Sequence, residues 1–299
     1  MNAFRRTLAL ARRERRALLA FNCYNLESVS AAVAVAAETG QALIVAHGER
    51  YLENIGLRPM RALVSALAQD AGLEGQVLLH LDHSVSVELC LQAAELGYDS
   101  VMYDGSHLPY ERNVANTAAV VEAVHQLGVG VEAELGALGI GDASHEFETG
   151  HEALTDPAQA VHFAARTGID ALAVSVGTVH GLYRSLPKLD LERLAQIARL
   201  VPLPLVLHGG SGTPPEALAA AIWLGIAKIN VNTEVALAGT AAILARAQAL
   251  GPGQAHAAAL GLAQQEAMTA SMLASVRQQV GGRPSSEQGP VGSLVNALE

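Results

Sequence analysis

Eight short apolar runs, each followed by a stretch with helical spacing, constrain this chain more than any other feature. They occupy 17–23, 42–46, 77–81, 100–103, 129–134, 171–176, 203–207 and 227–231. Most are continuous rather than alternating, which is the pattern of parallel strands covered on both faces. Between them Met60, Leu63, Val64 and Leu67 fall at i, i+3, i+4 and i+7, and Leu191, Leu194, Ala195 and Ala198 repeat the spacing. Asp156 before Pro157 reads as a helix N-cap with proline in the first helical position. Thr213-Pro-Pro-Glu216 reads as a capping box of the same kind. Strand–helix alternation eight times over predicts an α/β fold, a single (β/α)8 TIM barrel. A doubly wound open sheet is the alternative, but no strand is followed by a Gly-rich dinucleotide fingerprint. After Val231 the chain is Ala-rich, so extra C-terminal helices are expected over 236–280, followed by a loose Gly/Pro/Ser-bearing tail at 281–299. No shift in composition divides the sequence. One domain over 1–299 is expected, with its core at about 17–235.

Composition narrows the function classes. A hydrophobic fraction of 51% against 16% charged residues excludes intrinsic disorder. No apolar run reaches the roughly 18 residues that a membrane-spanning helix needs, so no membrane partner is expected. A net charge of −10 argues against nucleic acid. Cys23 and Cys90 make no disulfide framework, which points to a reducing compartment and a cytoplasmic location. Arg5, Arg6, Arg12, Arg13, Arg15 and Arg16 crowd the start of the chain. With Glu14 among them and no serine, they read as the solvated face of a helix rather than a targeting segment.

In a barrel, chemistry is built at the C-terminal ends of the strands. Just past the apolar runs stand Asn22, Gly48, Asp82-His83, Asp104, Glu134, His180, His208-Gly-Gly-Ser211 and Asn230-Val-Asn-Thr233. Nearly every strand thus ends in a group able to bind metal, carry a proton or hold an anion. His83, His180 and His208 at one mouth would make a three-nitrogen site with an open position, as catalytic zinc requires, although another divalent ion fits the same set. Asp82 would lie at that metal, as a general acid or base or as a partner orienting a histidine. Glu134, with Glu132 on the same strand face, is a further metal ligand or a supporting group. His80 is expected to pack within its strand or behind the ligands. The Gly-rich segment 136–150 carries Asp142, Glu146 and Glu148, and reads equally as a closing loop or as solvated surface. HGGSG at 208–212, with Asn230, Asn232 and Thr233 beyond the last strand, occupies the frequent phosphate position of such barrels.

AFNCYNLE at 20–27, HLDH at 80–83, DGSH at 104–107, VEAELG at 131–136, GTVHGLY at 177–183, LHGGSG at 207–212 and KINVNTE at 228–234 resemble the class II, metal-dependent ketose-bisphosphate aldolases, the fructose- and tagatose-bisphosphate group. The resemblance implies a zinc lyase that reversibly cleaves a ketose 1-phosphate or 1,6-bisphosphate to dihydroxyacetone phosphate and an aldehyde. It implies His83, His180 and His208 as zinc ligands, with Asp104 and Glu134 lining a second or alternate divalent position. Asp82 would exchange a proton with the hydroxyl beyond the bond cleaved, and Asp142 would protonate the enediolate. Asn22 would hold substrate, and Gly181, Gly209, Ser211, Asn230, Asn232 and Thr233 would cradle phosphate. A monovalent cation, Na+ or K+, would rest on carbonyls near Val179, Gly181 and Gly209, and the chain would form a homodimer or homotetramer.

The sequence departs from that pattern in places. Leu138-Gly-Ile-Gly-Asp142 replaces the usual Gly-Gly and glutamates, and Asn232 stands where fructose-bisphosphate members carry Asp. Gly48 stands where Ser or Thr often lies, and the tail reads VGGRPSSEQG in place of an FGSAG-like ending. Both latter changes bear on a distal phosphate, for which Arg50 or Arg277 is the replacement. Two alternatives remain: a phosphosugar-binding paralogue without turnover, and a Schiff-base aldolase. The second needs a strand lysine, and only Lys228 qualifies, read as starting the last strand at the end away from the site.

Overall fold

The computed structural model describes residues 2–137, 139–140, 153–181, 188–251 and 253–279; for Gly139, Ile140, His180 and Gln279 it describes the backbone alone. Among the described residues ten strands run in order: β1 (Leu18–Asn22), β2 (Leu43–Gly48), β3 (Val77–Ser84), β4 (Ser100–Tyr103), β5 (Gly130–Leu135), β6 (Gly139–Ile140), β7 (Ala171–Val174), β8 (Val179–His180), β9 (Leu205–Leu207) and β10 (Ile226–Val231). The helices are α1 (Ala3–Arg13), α2 (Leu26–Thr39), α3 (Leu57–Asp70), α4 (Val87–Glu95), α5 (Tyr110–His125), α6 (Pro157–Thr167), α7 (Leu191–Leu200), α8 (Pro215–Trp223), α9 (Thr233–Leu250) and α10 (Ala257–Gln279). Eight strands close into a barrel in the order β1-β10-β9-β7-β5-β4-β3-β2. Every pair in it is parallel. β6 and β8 form a separate parallel pair. The fold is therefore the expected TIM barrel with added C-terminal helices. No helix among the described residues is long and apolar enough to cross a membrane.

Side chains alternate along the strands, so two apolar layers form. Leu19, Phe21, Val45, Leu79, Leu81, Val131, Ala133, Leu172 and Val174 pack outward beneath the helices. Leu18, Ala20, Ile44, Ala46, Leu78, Met102, Ala171, Ala173, Val206 and Ala227 fill the lower lumen. Phe4, Leu8 and Ala11 of α1 join that inner set, so α1 stoppers the N-terminal end of the barrel. Its arginines are not merely solvated. Arg12 donates to the carbonyls of Ala198, Val201 and Leu203, and Arg15 donates to that of Trp223 while lying over its ring. For Arg12 and Arg15 this corrects the expectation of a solvated face, because those carbonyls lie at the N-terminal rim, where the guanidinium heads satisfy backbone acceptors, whereas Arg6 and Arg13 are exposed as expected.

Asp156 caps α6 as expected, its side chain accepting from the backbone N–H of Gln159. The capping box at Thr213 does not form. Pro214 takes the cap position without a side-chain bond, and the Thr213 hydroxyl donates instead to the Gly209 carbonyl at 3.2 Å. Outside the barrel α10 packs on α9 and α2, with Met268 and Met272 fully buried.

Candidate active site

Two irregularities in the barrel aim the central side chains. β3 shifts register between Leu81 and Ser84, and His83 there has φ +48°, a left-handed conformation that side-chain-bearing residues seldom adopt. Strict alternation would send His83 outward. The shift brings it in beside Asp82, so two consecutive residues face one centre, and the local backbone strain is of the kind found at functional sites.

Around that centre the hydrogen bonds are continuous. Asn22 Nδ2 donates to Asp82 Oδ2 at 2.9 Å, and Asn230 Nδ2 donates to Asp82 Oδ1 at 3.0 Å. His83 Nδ1 lies 2.9 Å from Asp104 Oδ2, while Asp104 Oδ1 accepts from the backbone and hydroxyl of Ser106 at 3.1 and 2.6 Å. His208 Nε2 lies 3.0 Å from Glu132 Oε1. Across the centre, His83 Nε2 and His208 Nδ1 face each other at 2.8 Å.

Burial alone would push the Asp82 carboxyl up, but His83 and Lys228 hold it well below the usual carboxylate range. Asp104 is likewise pulled down against its burial by the His83 contact. Glu134 goes the other way, pushed well above its ordinary value by burial and by the neighbouring charge of Asp104. His208 is lowered by burial and by His83, and His80 falls to about 3 through burial and the Lys228 ammonium.

This donor set suits a divalent metal. An ionised carboxylate only accepts, so Asp104 and Glu132 place the ring protons on His83 Nδ1 and His208 Nε2. The two remaining ring nitrogens then turn lone pairs toward one another across 2.8 Å, an arrangement that a cation between them relieves. Among the described residues two groups each have their donor atoms within 4.8 Å of one another: Asp82, His83 and His208, and His83, Asp104 and Glu134. They share His83, which gives two adjacent positions. Glu134 Oε2 is buried without a hydrogen-bond partner among the described residues.

The residues expected to cradle an anion lie across the mouth. Gly209 has φ +69°, and a Cβ there would fall 2.3 Å from the Val179 carbonyl, so only glycine lets the β9 loop lie against β8. Ser211, Asn230 and Thr233 are buried, and Ser211 Oγ accepts from the Asn232 backbone at 3.2 Å. Asn232 caps the start of α9 without a side-chain bond to the helix, and its Nδ2 donates to Tyr51 Oη at 3.1 Å. Gly181 lies just past β8 with φ +100°. The loops thus set the start of α9 beside the polar mouth.

The structure brings together Asn22, Asp82, His83, Asp104, Glu134, His208 and Asn230 at the centre, and Gly209, Ser211, Asn232 and Thr233 beside it. Asp142 and the side chain of His180 lie outside the described residues. Arg277 is not at the mouth: it pairs with Glu38 of α2 at 3.1 Å. Arg50 is on the 3-10 turn after β2, its guanidinium 5.8 Å from the Tyr51 ring centroid. Lys228 is not at the far end of its strand. β10 shifts register between Ile226 and Lys228, and the side chain enters the lumen to meet Glu132. Glu132 is therefore more central than a supporting group beside Glu134, and Lys228 lies inside the lumen rather than at the far end of its strand. The available signal was period two, since Glu132 precedes Glu134 by two and Lys228 precedes Asn230 by two.

Comparison with known proteins agrees with this geometry. The family model for class-II fructose-bisphosphate aldolase matches residues 2–281. A sulfofructosephosphate aldolase of Alkalicoccus urumqiensis is 37% identical over 221 residues, which covers 74% of this chain and 76% of that protein. The crystal structure of the YdjI aldolase from Escherichia coli K12 superposes with a TM-score of 0.80 at 31% identity, over 94% of this chain and 97% of that one. A Coccidioides immitis structure, provisionally described as a fructose-1,6-bisphosphate aldolase, gives 0.85 at 28% identity over 93% and 96%.

Proposed function

Because this chain belongs to the class-II fructose-bisphosphate aldolase family and is therefore a carbon–carbon lyase, we propose that it cleaves a ketose 1-phosphate to dihydroxyacetone phosphate and an aldehyde with the help of bound zinc. His83, His208 and His180 would hold the ion, and Asp104 and Glu134 would line an adjacent divalent position. When bound, zinc would polarise the substrate ketone and stabilise the negative charge that cleavage develops, which removes the need for a covalent lysine.

The remaining work falls to the chain itself. Asp82, its carboxylate aimed by Asn22 and Asn230, takes the proton from the hydroxyl beyond the breaking bond. Asp142 returns a proton to the enediolate carbon. Gly181, Gly209, Ser211, Asn232, Thr233 and the start of α9 hold the phosphate and so fix the scissile bond over Asp82. A monovalent cation, Na+ or K+, would sit on the carbonyls near Val179, Gly181 and Gly209. The sulfofructosephosphate aldolase among the relatives makes a ketose phosphate with a distal sulfonate a substrate to test alongside distal phosphates. The same reading treats 1–299 as one domain acting in the cytoplasm as a homodimer or homotetramer.

The observation that carries this reading is the pair of carboxylate-backed histidines meeting at 2.8 Å beside a doubly clamped Asp82. It is tested by two variants compared for zinc content and turnover. His208→Ala is expected to lose both, whereas Asp82→Asn is expected to keep zinc and lose turnover by roughly 10²-fold or more. Full zinc retention in the first, or full activity in the second, refutes the corresponding assignment. No turnover of any ketose phosphate by the zinc-loaded wild-type protein would make a phosphosugar-binding protein the better reading.

A further inference from the structure

Glu132 and Lys228 take no part in the chemistry proposed above, yet they stand where charge is hardest to keep. Neither side chain has any exposed surface. Lys228 Nζ lies 2.9 Å from Glu132 Oε2 and 3.0 Å from Oε1, and 3.5 Å from His80 Nε2. His80 in turn meets Ser100 Oγ through Nδ1 at 2.8 Å and stacks on Phe4 at 5.7 Å, so the pair is boxed in from below. The register shift in β10 is what brings Lys228 to this place: Ala227 packs in the lower lumen and Lys228, the next residue, also enters the lumen.

Stability does not account for such a pair. Replacing a buried ion pair by uncharged residues of similar volume is often neutral or stabilising, because desolvation offsets the mutual attraction. A different consequence follows from the third contact of the carboxylate, Glu132 Oε1 to His208 Nε2 at 3.0 Å. We propose that Lys228 and Glu132 are positioning residues for His208: Lys228 pins the carboxylate, and the carboxylate fixes one ring tautomer and one ring orientation, so that Nδ1 is presented to the metal opposite His83 Nε2. Asp104 does the same for His83 from the other side, so both of these histidines are oriented by carboxylates, and among the described residues it is the carboxylate behind His208 that a cation anchors. The inference rests on His208 being a metal ligand.

The test uses full-length protein stripped of metal and titrated with Zn2+ against a competing chelator, with Co2+ absorption as a report on ligand geometry. The charge-neutral double variant Glu132→Gln/Lys228→Met removes the pair without leaving one charge alone. It is expected to melt at or above the wild-type temperature, to bind Zn2+ roughly 10–100-fold more weakly and to show an altered Co2+ spectrum. Glu132→Asp keeps both charges but draws the carboxylate back from His208, and is expected to weaken Zn2+ in the same direction; it carries the test if the double variant does not fold. Zn2+ affinity within about twofold of wild type in a folded variant overturns the proposal. His208→Ala is titrated beside them. Undiminished Zn2+ binding there means that His208 is no ligand, whereas loss there with none in the Glu132 variants means that only the positioning role fails.

Discussion

His47 offers a stability prediction with a worked magnitude. The ring is fully buried on the outer face of β2, where its Nδ1 meets Tyr98 Oη at 2.8 Å and Tyr98 Oη donates to the Leu57 carbonyl at 3.3 Å. Burial lowers its pKa from the ordinary 6.5 to about 4, against smaller upward pulls from the Ile55 carbonyl and Asp82. The folded value lies below the unfolded one, so the unfolded chain takes up the proton first. Stability is therefore complete above the unfolded value near 6.5 and is lost as pH falls toward about 4. A gap of that size corresponds to about 3 kcal/mol in full, of which about 2.5 kcal/mol is spent by pH ~4.5. Against a total of roughly 5–15 kcal/mol for a typical protein this is a large share. His47→Gln keeps a hydrogen-bonding group near Tyr98 but does not titrate. Urea denaturation at about pH 7.5 and about pH 4.5, with chelator present so that metal release is silent, isolates the effect from the groups common to both proteins. Between the two pH values the Gln variant is expected to lose about 2.5 kcal/mol less than wild type. Losses parallel within about 0.5 kcal/mol would refute the argument that burial holds His47 neutral.

Other perturbations separate the frame from the chemistry. Gly210→Ala would place a Cβ 2.5 Å from Ile229 Cγ2 and 2.8 Å from the Asn230 carbonyl, and so displace the β9 loop. Steady-state kinetics are expected to show KM for the phosphorylated substrate raised roughly tenfold or more with zinc content unchanged; an unaltered KM would remove this loop from phosphate binding. Phe4→Ala empties the stopper of the barrel, where Phe4 is fully buried against His80. Denaturation is expected to show a loss of about 3–5 kcal/mol, and a loss below about 1 kcal/mol would mean that α1 is not part of the core.

The barrel was legible because parallel strands buried on both faces leave continuous apolar runs, and all eight runs overlap barrel strands. The strand-end polar residues were legible too, since barrel geometry fixes where Asn22, Asp82, Asp104, Glu134, His208 and Asn230 must gather. What escaped has a common physical origin. The inward turn of His83 depends on a left-handed backbone at a residue that is not glycine, and the entry of Lys228 depends on a bulge. The first leaves no mark in composition or period, and the second shows only in the two-residue spacing of Lys228 and Asn230. The Glu132–Lys228 contact joins residues 96 positions apart, and α1 meets the lumen through Phe4 only after the barrel has closed. Arg277 was an expectation from charge alone, and Glu38 on α2 claims it.

The most direct test of the metal-dependent lyase reading is release of dihydroxyacetone phosphate from a panel of ketose 1-phosphates and ketose phosphates bearing a distal phosphate or sulfonate, measured with chelator and after Zn2+ is restored. Release that the chelator abolishes and Zn2+ returns is the predicted result. Release that survives complete removal of metal, with borohydride trapping substrate on Lys228, would contradict it.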